Sequence, residues 1–176
     1  GVLEMLPRPI TVKPKDAEKV YDGTPLICNE PEIVAGELAP GDTIALETYG
    51  SQTDVGESEN EIAFVQIANS LHKDVTRNYE ITYQTGLLEV LPSELTLKTG
   101  NAKKAYDGEA LSSEDVEVLG NLAEGQRIVV LRKTYITEIG TADNALEIAV
   151  LHAADHDVTG NYEIHIVYGI LEITPI

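Results

Sequence analysis

One heptapeptide pattern is written three times in this chain, and it limits what the chain can fold into more than any other feature. It reads Gly1-Val2-Leu3-Glu4-Met5-Leu6-Pro7, then Gly86-Leu87-Leu88-Glu89-Val90-Leu91-Pro92, then Gly169-Ile170-Leu171-Glu172-Ile173-Thr174-Pro175. The copies start 85 and 83 residues apart, the length of a small domain and not of a solenoid turn. Each copy reads as the last strand of a module. The chain therefore divides into residues 1–7, the closing strand of a preceding repeat, then one module over 8–92 and a second over 93–176. With no module in front of its first copy, the sequence reads as a piece of a longer tandem array.

Other strings recur in step. Ala17-Glu18-Lys19-Val20-Tyr21-Asp22-Gly23 returns as Ala102-Lys103-Lys104-Ala105-Tyr106-Asp107-Gly108. Asp-Gly signals a turn, because aspartate bonds its own backbone and glycine accepts positive φ. The tyrosine ahead of it is expected to plug the end of a core, its hydroxyl reaching a backbone partner. Gly36-x-Leu38-Ala39-x-Gly41 returns as Gly120-x-Leu122-Ala123-x-Gly125 and predicts one helical or 3₁₀ turn with its leucine facing inward. Asp74-Val75-Thr76-Arg77-Asn78-Tyr79-Glu80-Ile81 returns as Asp157-Val158-Thr159-Gly160-Asn161-Tyr162-Glu163-Ile164. Here Asp, Thr and Asn brace a loop through side-chain to backbone bonds, and Tyr79, Ile81 and Tyr83 then share one face of a strand.

Alternating, β-branched stretches predict strands at 10–13, 33–35, 43–49 and 61–67 and, in the second copy, at 95–98, 116–119, 128–133 and 145–151. Gln84-Thr85-Gly86 predicts a hairpin turn into the closing strand with its glycine left-handed. No segment has a helical period of ten residues or more. The expected fold is mostly β: two tandem small modules, each an Ig-like sandwich or a β-grasp-like sheet with at most a short helical turn. About three residues, one or two of them proline, join the modules. They span no more than about 10 Å and are stiffened by proline, so the modules are expected to lie end to end.

The net charge of −18 is shared: residues 1–92 hold 6 basic and 16 acidic side chains, residues 93–176 hold 6 and 14. Nucleic acid and anionic membrane both require basic patches, so neither is an expected partner. No run of 18 apolar residues offers direct membrane insertion. The single cysteine, Cys28, rules out a disulfide within the chain.

Catalytic signals are missing. There is no Gly-x-Ser-x-Gly, no histidine stands in spacing with Cys28, and the histidines do not recur between copies. No cofactor motif is found, since the glycine-bracketed loop lacks the Lys-Ser/Thr ending of a phosphate cradle. The densest set of metal-ligand types, His152, Asp155, His156 and Asp157, is matched by Asn69, His72, Lys73 and Asp74, and a lysine in that place argues against a shared metal. Trp is absent, so sugar-stacking platforms are thin. One covalent chemistry is conceivable: Lys19 with Asn78, and Lys104 with Asn161, are residue types that join as isopeptide bonds in bacterial surface domains, although side-chain habits favour an exposed lysine and a loop-bracing asparagine.

Val20-Tyr21-Asp22-Gly23-Thr24-Pro25-Leu26, Gly36-x-Leu38-Ala39-x-Gly41-Asp42, Asn78-Tyr79-Glu80-Ile81 and the Gly-x-Leu-x-Val/Ile-x-Pro ending together resemble the YDG/MBG repeats. The second copy departs at Glu109-Ala110 and at Gln126-Arg127, which stands in place of Asp42-Thr43. The resemblance implies a β-rich module repeated in large exported bacterial proteins, an extracellular or cell-wall setting, and no catalytic residues. The expected function is a structural spacer of an adhesin-like surface protein whose partners are its neighbouring repeats. The alternative is a module that binds host glycan or protein. The residues expected to define the module are Tyr21, Asp22, Gly23, Asn78 and Tyr79, with Tyr106, Asp107, Gly108, Asn161 and Tyr162 in the second copy.

Overall fold

A computed structural model describes residues 1–176. The chain is almost wholly β, with two one-turn 3₁₀ segments and no α-helix. It falls into two compact units, Gly1–Val20 with Thr24–Leu91, and Tyr21–Gly23 with Pro92–Ile176.

The first unit holds β1 (Arg8–Pro14), β2 (Ala17–Val20), β3 (Pro31–Ala35), β4 (Thr43–Thr48), β5 (Gly56–Asn60), β6 (Ile62–Ala68), β7 (Tyr79–Tyr83) and β8 (Gly86–Leu91). They form three small sheets, ordered β3-β1-β7, β2-β8-β5 and β4-β6. β1 runs parallel to β7, and β2 runs parallel to β8. Arg8 lies opposite Tyr79 and Ala17 opposite Leu88, so the separation between partners is unchanged across the break. β1–β2 and β7–β8 are thus two bent strands that travel side by side and pass together from one sheet into another. Ile10 and Val12 of β1, Leu46 of β4, Val65 and Ile67 of β6 and Tyr79 of β7 form one buried cluster, with Leu38 and Ile81 packed against it. Sheet β3-β1-β7 therefore faces β4-β6 as in a small sandwich. Each fully buried aliphatic side chain contributes about 1.5–3 kcal/mol.

The second unit repeats the plan with β9 (Ser93–Thr99), β10 (Ala102–Ala105), β11 (Val116–Leu119), β12 (Gln126–Arg132), β13 (Gly140–Asp143), β14 (Glu147–His152), β15 (His156–Asp157), β16 (Tyr162–Val167) and β17 (Ile170–Thr174). The sheets are β11-β9-β16, β10-β17-β13 and β12-β14-β15. β9 pairs β16 in parallel and β10 pairs β17 in parallel, again with one register across the bend. Leu95, Leu97, Val150, Leu171 and Ile173 are buried.

Three sequence expectations need correction. Gln84–Gly86 is no hairpin, since β7 and β8 are not paired with each other; each continues along a different segment of the same bent partner. Gly86 is not left-handed. It is glycine because an added Cβ would lie 2.6 Å from the Pro14 carbonyl oxygen, and at Gly169 one would lie 2.3 Å from that of Gly100. Second, the segment around Leu38 is a turn closed by the Asp42 amide on the Ala39 carbonyl (3.0 Å), and the 3₁₀ turns fall instead at Thr76–Asn78 and Thr159–Asn161. Third, β2, β5, β10, β13 and the two-residue β15 were not expected. Their sequences are short and polar, and parallel or antiparallel partners supply the pattern they lack. Gly1–Pro7 pairs with no strand of this chain, and Val2, Leu3, Met5 and Leu6 are exposed. Its counterparts β8 and β17 each sit between two strands, whereas this stretch has no ladder to satisfy its backbone.

Candidate functional site

A polar constellation shared by both units surrounds the tyrosine at the start of β7 and of β16. In the second unit the 3₁₀ turn Thr159–Asn161 delivers Tyr162 into β16, where its ring is buried. The turn is held by Asp157, whose Oδ1 accepts from the Thr159 amide (2.9 Å) and hydroxyl (2.6 Å). The Thr159 hydroxyl in turn accepts from the Val150 amide (2.9 Å) of β14. The first unit is built alike: Asp74 Oδ1 accepts from the Thr76 amide (2.9 Å) and hydroxyl (2.6 Å), and that hydroxyl accepts from Ile67 (2.8 Å). These bonds, the hydroxyl's foremost, stabilise the carboxylate and hold both aspartates below their ordinary pKa.

The Ala123 amide donates to the Tyr162 hydroxyl (2.9 Å), and that hydroxyl donates to Gln126 Oε1. Gln126 Nε2 then donates to the hydroxyl of Tyr21 (2.8 Å). The Tyr21 and Tyr162 rings meet edge to face, centroids 5.4 Å apart at 86°, a favoured aromatic geometry. Tyr21 is only 5% exposed. Gly23 follows it at φ +82°, and a Cβ there would come within 2.9 Å of Ala123 Cβ. The Tyr21-Asp22-Gly23 turn is thus seated closely against Ala123, Gln126 and Tyr162. Burial pushes the Tyr162 phenol pKa up.

The first unit carries the same receptacle with one change. The Ala39 amide donates to the Tyr79 hydroxyl (2.8 Å), and that hydroxyl donates to Asp42 Oδ2 (2.6 Å). Asp42 stands where the second unit has Gln126. Burial, and after it the bond to the Asp42 carboxylate, raise the Tyr79 pKa. Met5, Leu6, Arg8, Ala39, Asp42, Asn78 and Tyr79 line a cavity of about 310 Å³.

The remaining sequence candidates take local roles. Tyr106-Asp107-Gly108 repeats the turn, with Gly108 at φ +78°, but Tyr106 is 36% exposed and no neighbour lies within 4 Å of a Cβ built on Gly108. Tyr21 and Tyr106 were expected to play one part, and the structure gives them different surroundings; the hydroxyl partner of Tyr21 is a side chain, not backbone. Asp107 is bound by Lys104 Nζ (2.8 Å) and by the Glu109 amide (2.9 Å), which together lower its pKa. Lys104 also donates to the Glu109 carbonyl (2.8 Å), and Lys19 donates to Thr24 Oγ1 (2.8 Å). Each lysine thus reaches into the turn that follows its own strand, while Asn78 and Asn161 close the 3₁₀ turns through their amides on Val75 and Val158. Of the histidine–aspartate set, Asp155 pairs with Arg127, Asp157 braces Thr159, and His152 and His156 lie opposite each other in β14 and β15. A different trio, Glu94, Glu163 and His165, brings its ligand atoms within 4.8 Å of one another on an exposed face.

Ala39, Asp42, Ala123 and Gln126 stand in the sequence motifs with no sign of the contacts they make, and Asn60 and Asn144 lie outside those motifs. Both asparagines are fully buried. Asn60 accepts from the Gly50 amide (3.0 Å) and donates to the Cys28 carbonyl (2.8 Å); Asn144 donates to the carbonyls of Gly100 (2.9 Å) and Ser113 (3.1 Å). Thr99 completes that corner, donating to the Asn144 carbonyl (2.7 Å) and accepting from the Gly169 amide (2.8 Å). Their signal was present: an asparagine at the same place in both copies, just before a strand.

Comparison with protein-family models, curated proteins and solved structures finds no match.

Proposed function

We propose that the chain consists of structural spacer repeats of an adhesin-like bacterial cell-surface protein and has no catalytic activity. The observation that carries this reading is how the recurring polar residues are used. Asp74, Thr76, Asp157 and Thr159 hold backbone amides, Asn60 and Asn144 tie loops together, and Tyr79 and Tyr162 close onto Ala39 and Ala123. A catalytic centre would instead converge a nucleophile and a base on one cleft. A module duplicated with its polar residues committed to its own backbone fits a unit that is copied for length. The resemblance to YDG/MBG repeats, which occur in exported proteins, supports an extracellular setting.

The test is a binding screen of the purified chain against a glycan array and against host-surface extracts. A spacer gives no saturable binding. Saturable binding abolished by substitutions at one surface patch would replace it with the alternative, an adhesive module recognising host glycan or protein.

A further inference from the structure

We propose that the cavity at Ala39, Asp42 and Tyr79 is a receptor for the Tyr106-Asp107-Gly108 turn of a second copy of this chain. The structure contains the filled version of the same arrangement. In the second unit Ala123, Gln126 and Tyr162 hold a Tyr-Asp-Gly turn, with the tyrosine hydroxyl accepting from Gln126 (2.8 Å) and the glycine against Ala123. In the first unit the equivalent alanine and tyrosine keep the same bond to each other (2.8 Å) around a cavity of about 310 Å³.

The plug is also present. Tyr106-Asp107-Gly108 has the backbone turn of its docked counterpart, with φ +78° at Gly108 against +82° at Gly23. The open space around Gly108 allows the approach that brings Gly23 against Ala123. Lys104 and the Glu109 amide fix Asp107, so the turn is pre-organised and loses little freedom on docking.

Chemistry sets the polarity of the contact. Asp42 carries a carboxylate where Gln126 carries an amide, and an ionised carboxylate only accepts. One oxygen already accepts from Tyr79 (2.6 Å), and the Oδ1 oxygen is suited to accept from an incoming phenol O–H. A phenol to carboxylate bond is charge-assisted and stronger than the neutral bond to Gln126. Met5 and Leu6, which line the cavity and are 92% and 73% exposed, offer apolar surface for the ring to cover. Because the plug is in one unit and the receptor in the other, the contact is heterologous: different surfaces of the two copies meet. It does not rest on the spacer reading, which stands or falls by the binding screen.

The test uses the whole chain. A ¹⁵N-labelled Tyr106→Ala chain, plug removed and receptor intact, is titrated with unlabelled wild-type chain to millimolar concentration, the range expected for a contact this small. Amide shifts are expected at Ala39–Asp42 and Asn78–Tyr79, and none when the titrant is unlabelled Tyr106→Ala. A Tyr106→Phe titrant, which keeps the ring and lacks the hydroxyl, should shift the same amides at several-fold higher concentration. No shift with wild-type titrant, equal shifts with both titrants, or shifts centred away from the cavity would overturn the proposal.

Discussion

Tyr21 and Tyr106 occupy the same position of the same motif, and their unequal surroundings give a matched experiment. Tyr21 is 5% exposed and lies edge to face on Tyr162, whereas Tyr106 is 36% exposed. Burying an aromatic side chain withdraws about 150–250 Å² from water, worth about 4–6 kcal/mol at about 25 cal/mol per Å². Aromatic-to-alanine truncations in cores cost about 3–5 kcal/mol. Tyr21→Ala is therefore expected to destabilise the second unit by about 3–5 kcal/mol. At about 4–8 °C per kcal/mol for a domain of this size, its calorimetric transition should fall by more than about 10 °C. Tyr106→Ala removes about a third less buried area and breaks no ring-to-ring contact, so it should cost about 1–2 kcal/mol less than Tyr21→Ala. Tyr21→Phe keeps the ring and loses only the bond from Gln126, at about 0.5–1.5 kcal/mol. If the two alanine variants melt together, or Tyr106→Ala is the worse, the docked turn is not where we place it.

Gly169→Ala should fail to fold or lose several kcal/mol, because its Cβ would meet the Gly100 and Thr99 carbonyl oxygens at 2.3 and 2.5 Å; Gly160→Ala, with nothing within 4 Å and φ outside the left-handed region, should gain about 0.4–1 kcal/mol in denaturant titrations. Asp74 and Asp157 have folded pKa values below the unfolded value of 3.8, so their contribution is complete above that value and lost as pH falls through the folded ones. Acid titration followed by circular dichroism should show that loss, and Asp74→Asn with Asp157→Asn should shrink it. Since Lys19 and Lys104 bond within their own turns, intact mass should equal the sequence mass; loss of one ammonia per module would establish the isopeptide bonds instead.

The duplicated pattern of alternating strands was legible because β1, β4, β6 and β9 carry their burial in their own residues, as Ile10 and Val12 do. β5, Gly-Glu-Ser-Glu-Asn, carries no such pattern and is a strand only because β8 lies beside it. Parallel pairing of β1 with β7 joins residues about seventy positions apart, which no local reading supplies. Gly86 illustrates a second limit: a glycine demanded by close approach of another strand looks, in sequence, the same as one demanded by a turn. Tyr21 shows a third, since its hydroxyl partner Gln126 is 105 residues away. The substitution of Gln126 for Asp42 weakened the family resemblance in sequence, yet in the fold it marks the residue that touches the docked tyrosine.

The most direct test of the docked turn is a nuclear Overhauser measurement between the ring protons of Tyr21 and Tyr162, made with tyrosines assigned by single Tyr→Phe variants. Rings with centroids 5.4 Å apart must give strong cross-peaks between them, and Tyr106 must give none to Tyr162. Cross-peaks absent from Tyr21, in a sample whose β-strand amides are otherwise dispersed and protected, would contradict the account.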